Sequence, residues 1–499
     1  MPALFALVLI RHRNSPFVRD GVCARPYLCP YEARAARAIR PDAARGAGPA
    51  ARSPLSARYT AAAMTPTISL SRLRANIEAL SAFGSQPDRG GISRFCWSPS
   101  HEKARAWLIR KMKAAGLATW VDPAGNTFGR LAGAGDASGG RESKGAARRG
   151  ARGARRARGG HAPTVMTGSH IDTVPNGGPL DGALGVLAGL ECLQAVAESG
   201  QRPRLPLTLA AWSDEEGRYG GLFGSRCYTG RIDPAQVAGI RAIDGDRLVD
   251  AMKRAGFDAR KAPSARMRPG EVAAYVELHI EQGPHLEAAG IPIGVVEGIV
   301  GIRRFRLAFI GEPDHAGATP MARRKDSFLA AADYALRARD HVVRKGSGRS
   351  VTNFGHVEIA PGVSNIVPAR TTLLQEMREL DARILGRLER ECLALARDVA
   401  RRRGCRVRVE RVSANQGVRC APRVMRAVAE AAGALGLSHR QMPSAAGHDA
   451  QNLAHVTDSG MLFIPSMGGR SHRPDEMSHW KDIERGANVL LLSLLRLAR

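Results

Sequence analysis

Apolar residues recur along this chain at two spacings, one typical of helices and one typical of strands. Regular patterning begins near Met64, where Leu73, Ile77 and Leu80 follow one another at helical spacing. Apolar runs then predict strands at 126–131, 164–167, 205–212, 272–281 and 461–465, and helices at 101–116 and 182–197, the latter opened by Asp181. Strands that alternate with helices indicate an α/β architecture, and polar residues gather after the strand ends, where such sheets place their sites.

The pattern changes in the middle of the chain. Strands are predicted at 303–310, 352–359 and 371–379, and long helices at 326–345 and 384–403. Because 499 residues exceed what one hydrophobic core usually organises, two domains are expected. We interpret 301–411 as a smaller α+β domain inserted into a larger one, whose two parts are 64–300 and 412–499.

The chain is strongly basic, with a formal net charge of +28. Residues 1–63 contain ten Arg against three acids, and residues 133–160 contain seven Arg and one Lys against two acids. Both segments are low in complexity and lack an apolar period, which predicts a disordered extension and a disordered surface loop. Alternatively, translation starts at Met64. No basic motif with interleaved aromatic residues is present, so we expect no nucleic-acid partner.

Eight cysteines lie scattered along the chain without a Cys-x-x-Cys pair, which favours reduced thiols and a cytoplasmic location. No run of eighteen apolar residues occurs, so no membrane span and no membrane partner are expected. The apolar stretch at 4–10 lacks a preceding basic segment and a clear cleavage site, which makes it a poor secretory signal.

Candidate metal ligands follow several of the predicted strands. His170 ends one strand, Asp172 lies two residues later, and Asp181 lies where a helix is predicted to begin. Imidazole and carboxylate groups are ligands that zinc and similar cations prefer, and we expect the Asp172 carboxylate to orient the imidazole of His170. Taken alone, a histidine and two aspartates in a turn would be ordinary loop residues.

Glu215 and Glu216 are consecutive acids after an apolar strand. Neighbouring carboxylates repel each other and need a cation or solvent, and their side chains diverge at a strand end, so one can bind a metal while the other faces water. An exposed acidic turn would explain the pair equally well in isolation. His279 on a strand and His472 in a glycine-rich loop complete the set, and a single strand histidine is more often a core residue.

Together these segments resemble the hydantoinase/carbamoylase branch of the metallopeptidase M20 superfamily. That branch contains N-carbamoyl-L-amino acid hydrolases, β-ureidopropionases and allantoate amidohydrolases. The resemblance rests on the segments 168–191, 215–217, 224–226, 279–283, 314–321, 365–368, 447–450 and 471–472. It runs in order from about Met64 to the C-terminus, interrupted at 133–160. Departures at 212–214, at His285 and around Arg378 remove no ligand.

The resemblance implies an α/β fold in which a mixed-sheet catalytic domain with two metals carries an inserted α+β lid and dimerisation domain. It implies one metal held by His170, Asp181 and His279, and a second held by Asp181, Glu216 and His472. The two divalent ions would be zinc, with manganese or cobalt as alternatives. Glu215 matches the general base of the family. A homodimer is implied, with His315 serving the partner subunit's active site.

Substrate contacts are also carried over by the resemblance. His315, Asn365 and Arg378 match lid residues that hold the substrate, with His315 as the oxyanion donor. The fork of Arg378 suits a substrate carboxylate, although an arginine paired with Glu376 or Asp381 is the alternative. Gln282 and His448 match further positions of the family motifs that we group with the substrate contacts, and the specific role of His448 is left open.

The function that we expect is hydrolysis of the ureido group of an N-carbamoyl-L-amino acid or β-ureidopropionate, a small-molecule substrate. The products would be ammonia, carbon dioxide and the amino acid. Allantoate or a ureidoglycolate-like compound is the alternative substrate class. An M20 aminoacylase or dipeptidase is the alternative enzyme, and an RNA-associated basic protein is the alternative outside enzymes. The identity of the ureido substrate and of the metal stays open at this point.

Overall fold

The structure is a computed structural model, and it describes residues 66–139 and 162–499 apart from residues 87 and 89. The predicted disordered extension 1–63 and most of the predicted loop 133–160 lie outside the described residues. The start of that loop, Ala134–Gly139, forms a 3-10 helix.

Twelve α-helices are present in the described part of the chain. They are α1 (Leu70–Ser81), α2 (Pro99–Ala114), α3 (Ala183–Glu198), α4 (Phe223–Tyr228), α5 (Pro234–Val237), α6 (Leu248–Arg254), α7 (His285–Ala289), α8 (Ser327–Lys345), α9 (Ala382–Arg402), α10 (Pro422–Ala434), α11 (Ala450–Leu453) and α12 (Trp480–Leu497). Further 3-10 turns are Ala259–Ala265, Met321–Arg323 and Met467–Gly469.

Fifteen strands occur among the same residues. They are β1 (Ser85–Gln86), β2 (Gly91–Ile92), β3 (Ala118–Val121), β4 (Thr127–Leu131), β5 (Thr164–His170), β6 (Leu207–Trp212), β7 (Val272–Ile280), β8 (Ile293–Ile299), β9 (Gly301–Ile310), β10 (Val351–Ala360), β11 (Arg370–Glu379), β12 (Arg406–Asn415), β13 (Val418–Arg419), β14 (His439–Ser444) and β15 (Ser459–Ile464). Strands β1 and β2 form a two-stranded sheet of their own, and Ile92 of β2 also makes an isolated bridge to Gly177.

The larger sheet has nine strands in the order β13-β8-β15-β7-β5-β6-β4-β3, with β14 also paired to β8. Its centre is parallel, since β15 pairs in parallel with β7, β7 with β5, and β5 with β6. The flanking strands β4 and β3 run antiparallel. This mixed sheet confirms the predicted α/β class, and it brings the carboxyl ends of β5, β6 and β7 to one edge.

Both faces of the larger sheet are covered, which explains why its central strands are apolar along their whole length. Every residue of β5 and of β6 is buried. Apolar residues of α1, α2, α3, α10 and α12 share one core with one face of the sheet, and residues of α4, α7 and α11 share another with the opposite face. The packed layers fix the strand ends, and therefore the side chains that follow them, in place.

The smaller sheet lies between β8 and β13 in sequence. It is antiparallel with the order β10-β11-β9-β12, and it packs one face against α8 and α9 through residues that include Phe305, Leu307 and Tyr334. β12 continues to Asn415, beyond the predicted domain boundary at 411. The opposite face carries polar and charged side chains, among them Arg304, Glu376 and Arg378.

No described helix combines the length and the apolar composition that a membrane crossing requires. Six cysteines are described, and all of them are buried free thiols: Cys96, Cys192, Cys227, Cys392, Cys405 and Cys420. Cys23 and Cys29 lie outside the described residues.

Candidate metal centre

His170, Asp181 and His279 meet at the carboxyl edge of the parallel strands. His170 is the last residue of β5, and His279 lies near the end of β7. His170 Nε2 lies 3.7 Å and His279 Nε2 lies 3.1 Å from Asp181 Oδ1. All three residues are buried, and their ligand atoms lie within 4.8 Å of one another, as a shared cation would require. The strand order therefore brings together residues more than a hundred positions apart.

The backbone fixes which nitrogen of each histidine faces the cluster. His170 Nδ1 lies 3.0 Å from the carbonyl oxygen of Asp172, and His279 Nδ1 lies 2.9 Å from the carbonyl oxygen of Ile280. Because a carbonyl only accepts hydrogen bonds, each Nδ1 donates, and Nε2 is presented to the cluster. This is the arrangement of histidines that bind a metal through Nε2.

Gly182 admits His170 to the site. It has a φ of +63°, and a Cβ at this position would lie 2.3 Å from His170 Nε2. Gly182 is also the N-cap of α3 and makes no side-chain capping bond. The expectation that Asp181 opens the helix is therefore wrong. The Asp181 carboxylate points at the histidines because the glycine beside it lets the chain turn away.

A second group shares Asp181 with Glu216 and His472. His472 Nε2 lies 3.3 Å from Asp181 Oδ2 and 3.7 Å from Glu216 Oε2. The two oxygens of Asp181 thus face two different clusters, and Asp181, Glu216 and His472 have ligand atoms within 4.8 Å of one another. His472 is on the open side, with a side chain 54% exposed.

Glu215 lies beside both clusters. Its Oε2 is 3.5 Å from His170 Nε2, and His170, Glu215 and Glu216 form a third group of close ligand atoms. Asp214, with a φ of +55°, makes the turn after β6 that directs the two glutamates into the site.

Asp172 has a different part from the one expected of it. Its carboxylate is 3.8 Å from His170 Nδ1, farther than its own carbonyl oxygen, which takes the hydrogen bond. The carboxylate instead accepts from the backbone amides of Glu215 at 3.4 Å and Glu216 at 3.1 Å. Asp172 therefore orients His170 through its backbone and supports the glutamate pair through its side chain.

The charge of the site calls for a cation. Burial and the neighbouring Glu216 raise the pKa of Glu215 well above its ordinary value. Burial and the charges of Asp181 and Asp172 raise the pKa of Glu216 to about 10. Carboxylates in this setting stay ionised only when a positive charge offsets them. Glu216 Oε1 is buried and has no hydrogen-bond partner among the described residues. The donor set of imidazole nitrogens and carboxylate oxygens fits divalent ions such as zinc.

Asp181 and His279 form the shortest ion pair among the candidate ligands. Burial lowers the pKa of His279, but the hydrogen bond with Asp181 and the charges of Asp181 and Glu277 together outweigh burial and raise that pKa to about 9. Burial opposes ionisation of Asp181, yet hydrogen bonds with His279 and His472 hold the pKa of its carboxyl well below the usual range. A divalent ion would compete with a proton at this position, so metal binding is coupled to proton release.

Gln282 and His448 lie against the ligands. The side-chain amide of Gln282 donates to Asp181 Oδ2 and to Ser471 Oγ, both at 3.0 Å. His448 is 2% exposed, with its ring centroid 4.5 Å from that of His279 and its Nε2 2.9 Å from Ser444 Oγ. Burial and the nearby His279 lower the pKa of His448, which keeps the ring neutral. Both residues touch groups of the cluster in this structure.

The residues expected to hold the substrate from a lid belong to the smaller sheet and its loops. His315 and Asn365 lie in neighbouring loops, where the Ala316 amide donates to the Asn365 carbonyl at 3.0 Å. His315 is exposed, and its Nδ1 accepts from the amides of Gly317 at 3.0 Å and Ala318 at 3.1 Å. An accepting Nδ1 places the proton of a neutral ring on Nε2.

Arg378 lies on the exposed face of β11. Its Nε donates to Glu376 Oε1 at 2.6 Å, and its Nη1 donates to the carbonyl oxygen of Ala445, a residue of the larger sheet's loops. Pairing with Glu376 was the alternative reading of this arginine. Burial would raise the pKa of Glu376, but hydrogen bonds from Arg378 and Arg304 outweigh it and lower that pKa.

A cavity of about 340 Å³ adjoins the cluster on the side of Glu216 and Asp172. Its other walls are mostly apolar and include Phe95, Val174, Pro175 and Ile243. Arg218 also lines it, with its guanidinium 5.1 Å from the Phe95 ring centre and paired to Asp244 at 2.9 Å. The end of the cavity at the cluster is therefore charged, and the rest of its lining is mostly apolar.

Glu476 is the residue that the sequence reasoning missed. It is buried and accepts hydrogen bonds from the Asp181 amide, the Ser471 hydroxyl and the His472 amide. The signal available in the sequence was a carboxylate four residues after His472, within the same loop. Nothing in the sequence indicated that it would reach Asp181.

Comparison with known proteins defines the class. The chain belongs to peptidase family M20/M25/M40, whose sequence profile matches residues 166–496, and it is a hydrolase of carbon–nitrogen bonds. Among its relatives are an N-carbamoyl-L-amino acid amidohydrolase of Geobacillus stearothermophilus, 35% identical over 86% of this chain and 98% of that protein, and an allantoate amidohydrolase of Escherichia coli strain K12, 34% identical over 84% and 96%.

A solved structure supports the assignment to the hydantoinase/carbamoylase branch of the family. The hydantoinase/carbamoylase family amidase of Burkholderia multivorans superposes with a TM-score of 0.75 at 32% identity, covering 87% of this chain and 98% of that one. These comparisons confirm the resemblance to the hydantoinase/carbamoylase branch. The substrate is inferred from the geometry of the site.

Proposed function

We propose that the enzyme hydrolyses the ureido carbon–nitrogen bond of N-carbamoyl-L-amino acids. The observation that carries the proposal is the position of Glu215, which is 3.5 Å from His170 and adjacent to two ligand clusters that share Asp181. A carboxylate beside a pair of metal positions is the arrangement that activates water for attack on a carbonyl. The similarity to amidohydrolases of ureido compounds supports the same reaction class.

The proposed ligand set is His170, Asp181 and His279 for one ion and Asp181, Glu216 and His472 for the other, with zinc, manganese or cobalt as the metals. Bound divalent ions would lower the pKa of a water molecule and polarise the substrate carbonyl. Glu215 takes the proton of the attacking water and passes it to the leaving nitrogen. Breaking of the carbon–nitrogen bond releases ammonia and a carbamate, which loses carbon dioxide to give the amino acid.

His315 is the proposed donor to the oxyanion. The amides of Gly317 and Ala318 occupy its Nδ1, so the neutral ring carries its proton on the outward Nε2. A donor held in one tautomer costs no reorganisation when the negative charge develops on oxygen. We assign Asn365 and Arg378 to the substrate carboxylate, with Glu376 holding Nε of Arg378 so that its guanidinium keeps one orientation.

The cavity beside Glu216 favours substrates with an apolar side chain. Phe95, Val174, Pro175 and Ile243 offer no hydrogen bonds from their side chains, and about 340 Å³ is enough for a branched or aromatic group. β-Ureidopropionate would leave this cavity empty, and allantoate would place a second ureido group against walls that are mostly apolar. Allantoate remains the second candidate substrate because of the similarity to the Escherichia coli allantoate amidohydrolase.

A cytoplasmic homodimer completes the proposal. The buried free thiols are compatible with a reducing compartment. The dimer would form through the domain of the smaller sheet, and His315 of each subunit would serve the other's site.

The function is tested by measuring ammonia release from N-carbamoyl-L-leucine, N-carbamoyl-L-phenylalanine, β-ureidopropionate and allantoate. We expect the first two to have the highest kcat/KM, by about tenfold or more, since an extra buried apolar group contributes roughly 1–3 kcal/mol. Enzyme stripped of metal by chelation should release no ammonia and recover with added zinc. Preference for allantoate, or full activity in metal-free enzyme, would contradict the proposal.

Arg378→Ala should lower kcat/KM for N-carbamoyl amino acids on the order of 100-fold, which corresponds to about 2–3 kcal/mol of binding free energy. The reason is that a charged hydrogen-bond partner of the substrate carboxylate is lost. The corresponding N-carbamoyl amino acid amides, which lack the carboxylate, should lose much less. Arg306→Ala is the control, since Arg306 lies on the smaller sheet and pairs with Glu410 at the surface. Equal losses on acids and amides would show that Arg378 does not bind the carboxylate.

A further inference from the structure

Glu476 is a buried carboxylate whose hydrogen bonds connect the loops of two proposed metal ligands. It is 1% exposed. Its Oε1 accepts from the backbone amide of Asp181 at 2.9 Å, and its Oε2 accepts from Ser471 Oγ at 2.9 Å and from the backbone amide of His472 at 3.2 Å. Both oxygens of this side chain are therefore used, and each is used by a different loop.

Gln282 closes these contacts into a ring. Its side-chain amide donates to Asp181 Oδ2 and to Ser471 Oγ, both at 3.0 Å. Asp181 is consequently held twice, at its backbone by Glu476 and at its carboxylate by Gln282. The segment that begins α3 and the segment after β15 are about three hundred residues apart, and this ring fixes the distance between them.

The backbone of His472 needs such support. Its φ is +58°, in the left-handed region that residues with a side chain seldom adopt. Holding a residue there costs free energy, which surrounding contacts must offset. The His472 side chain is 54% exposed, so packing alone does not hold it, and the Glu476 carboxylate bonds its amide.

The fold makes room for this carboxylate. Gly178 lies against it, and a Cβ at Gly178 would be 2.4 Å from the Cβ of Glu476. The neighbouring acid, Asp475, offers a contrast, since its exposed carboxylate pairs with Arg470 at 2.6 Å and with Arg473 at 2.9 Å. Two adjacent acids of one loop thus have separate environments, one at the cluster and one at the surface.

We propose that Glu476 is a positioning residue that sets the separation of Asp181 and His472, and with it the metal affinity of the position that these two residues form with Glu216. The proposal rests on the ligand set given under the proposed function. Glu476 touches neither substrate nor reacting atoms, so its effect passes through Asp181 and His472. Groups that orient metal ligands typically contribute about 10- to 100-fold in metal affinity.

The experiment compares wild type, Glu476→Gln and Asp475→Asn. Each full-length protein is stripped of metal and dialysed against buffered free zinc over several decades of concentration, and bound zinc is measured by mass spectrometry. We expect two zinc ions in wild type. In Glu476→Gln we expect one of the two affinities to fall about 10- to 100-fold. The other should fall much less, because that position shares Asp181 but keeps His170 and His279. Asp475→Asn should match wild type.

Two further measurements separate positioning from general stabilisation. The metal-free forms of wild type and Glu476→Gln should unfold at similar temperatures. The kcat of Glu476→Gln should be low at limiting zinc and return towards the wild-type value at saturating zinc, with little change in KM. A purely structural role predicts the opposite: equal loss at both zinc positions, a lower unfolding temperature of the metal-free protein and no recovery with zinc. That result would overturn the proposal.

Ser471→Ala keeps the test decisive should Glu476→Gln fail to fold, because it removes only the hydroxyl shared by Glu476 and Gln282. We expect the same zinc position to weaken several-fold, and unchanged zinc binding in Ser471→Ala would then overturn the proposal. Two unchanged affinities in a folded Glu476→Gln would overturn the positioning role while leaving the proposed function intact. Wild type that binds no zinc at either position would instead overturn the ligand set, and the positioning role with it.

Discussion

Glu215→Gln is expected to lower kcat on the order of 10²- to 10⁴-fold while metal content and KM stay near the wild-type values. Glutamine has nearly the shape of glutamate but cannot take a proton from water. Glu215 lies 3.5 Å from His170, yet the two proposed metal positions are complete without it. The loss should therefore fall on the chemical step.

Glu216→Gln is expected to act on the metal instead. Glu216 Oε2 lies 3.7 Å from His472 and forms a cluster with Asp181, so removing its charge takes a ligand from one position. Metal content should fall from two ions towards one per subunit, and added metal should restore part of the activity. Glu78 is an exposed carboxylate paired with Arg74, so Glu78→Gln should change neither metal content nor activity.

Metal content by mass spectrometry and steady-state kinetics on N-carbamoyl-L-leucine measure both variants. The assignment within the pair would be reversed if Glu215→Gln lost metal and Glu216→Gln kept it. Asp172 limits how far either substitution can disturb the loop, because its carboxylate holds the backbone amides of both glutamates and needs neither side chain.

The parts of the site that the sequence could predict are those tied to strand ends. His170, Glu215 and His279 each lie at or just after the end of an apolar segment, and three parallel strands bring these ends to one edge. A short apolar run is enough to place such a strand and its polar end, since the side chains of a central strand are buried on both faces.

What the sequence could not predict depends on contacts between distant segments. Glu476 bonds the amide of Asp181, nearly three hundred residues earlier, and no local pattern encodes that pairing. The place of His448 beneath His279 depends on how the loop after β14 packs on β7. The role of Asp172 also depends on geometry that the sequence does not show. Its carbonyl and its carboxylate compete for the same nitrogen of His170, and only the backbone geometry decides between them.

The end of β12 is harder to predict from the sequence than the helices α8 and α9. Apolar residues at helical spacing identify α8 and α9, whereas the last strand of the smaller sheet alternates between Arg and Val along its first half. Its edge position in the sheet leaves most of β12 exposed, so the apolar signal fades before the strand ends at Asn415.

Mixing two inactive variants, Glu215→Ala and His315→Ala, should restore activity to about one quarter of wild type. His315 lies in an exposed loop between β9 and α8, whereas every proposed metal ligand belongs to the larger sheet and its loops. If the His315 of each subunit serves the partner's site, neither homodimer has a working site. A heterodimer combines one intact metal centre with one intact His315.

The expected fraction follows from random exchange. About half of the dimers formed on dissociation and remixing are heterodimers, and about half of their sites are complete, the other site lacking both groups. Ammonia release is measured before and after mixing, and differently tagged chains confirm that subunits have exchanged. A histidine that acts within its own subunit predicts no recovery, because each site would then still lack either Glu215 or His315. Full exchange without recovered activity would therefore contradict the shared site.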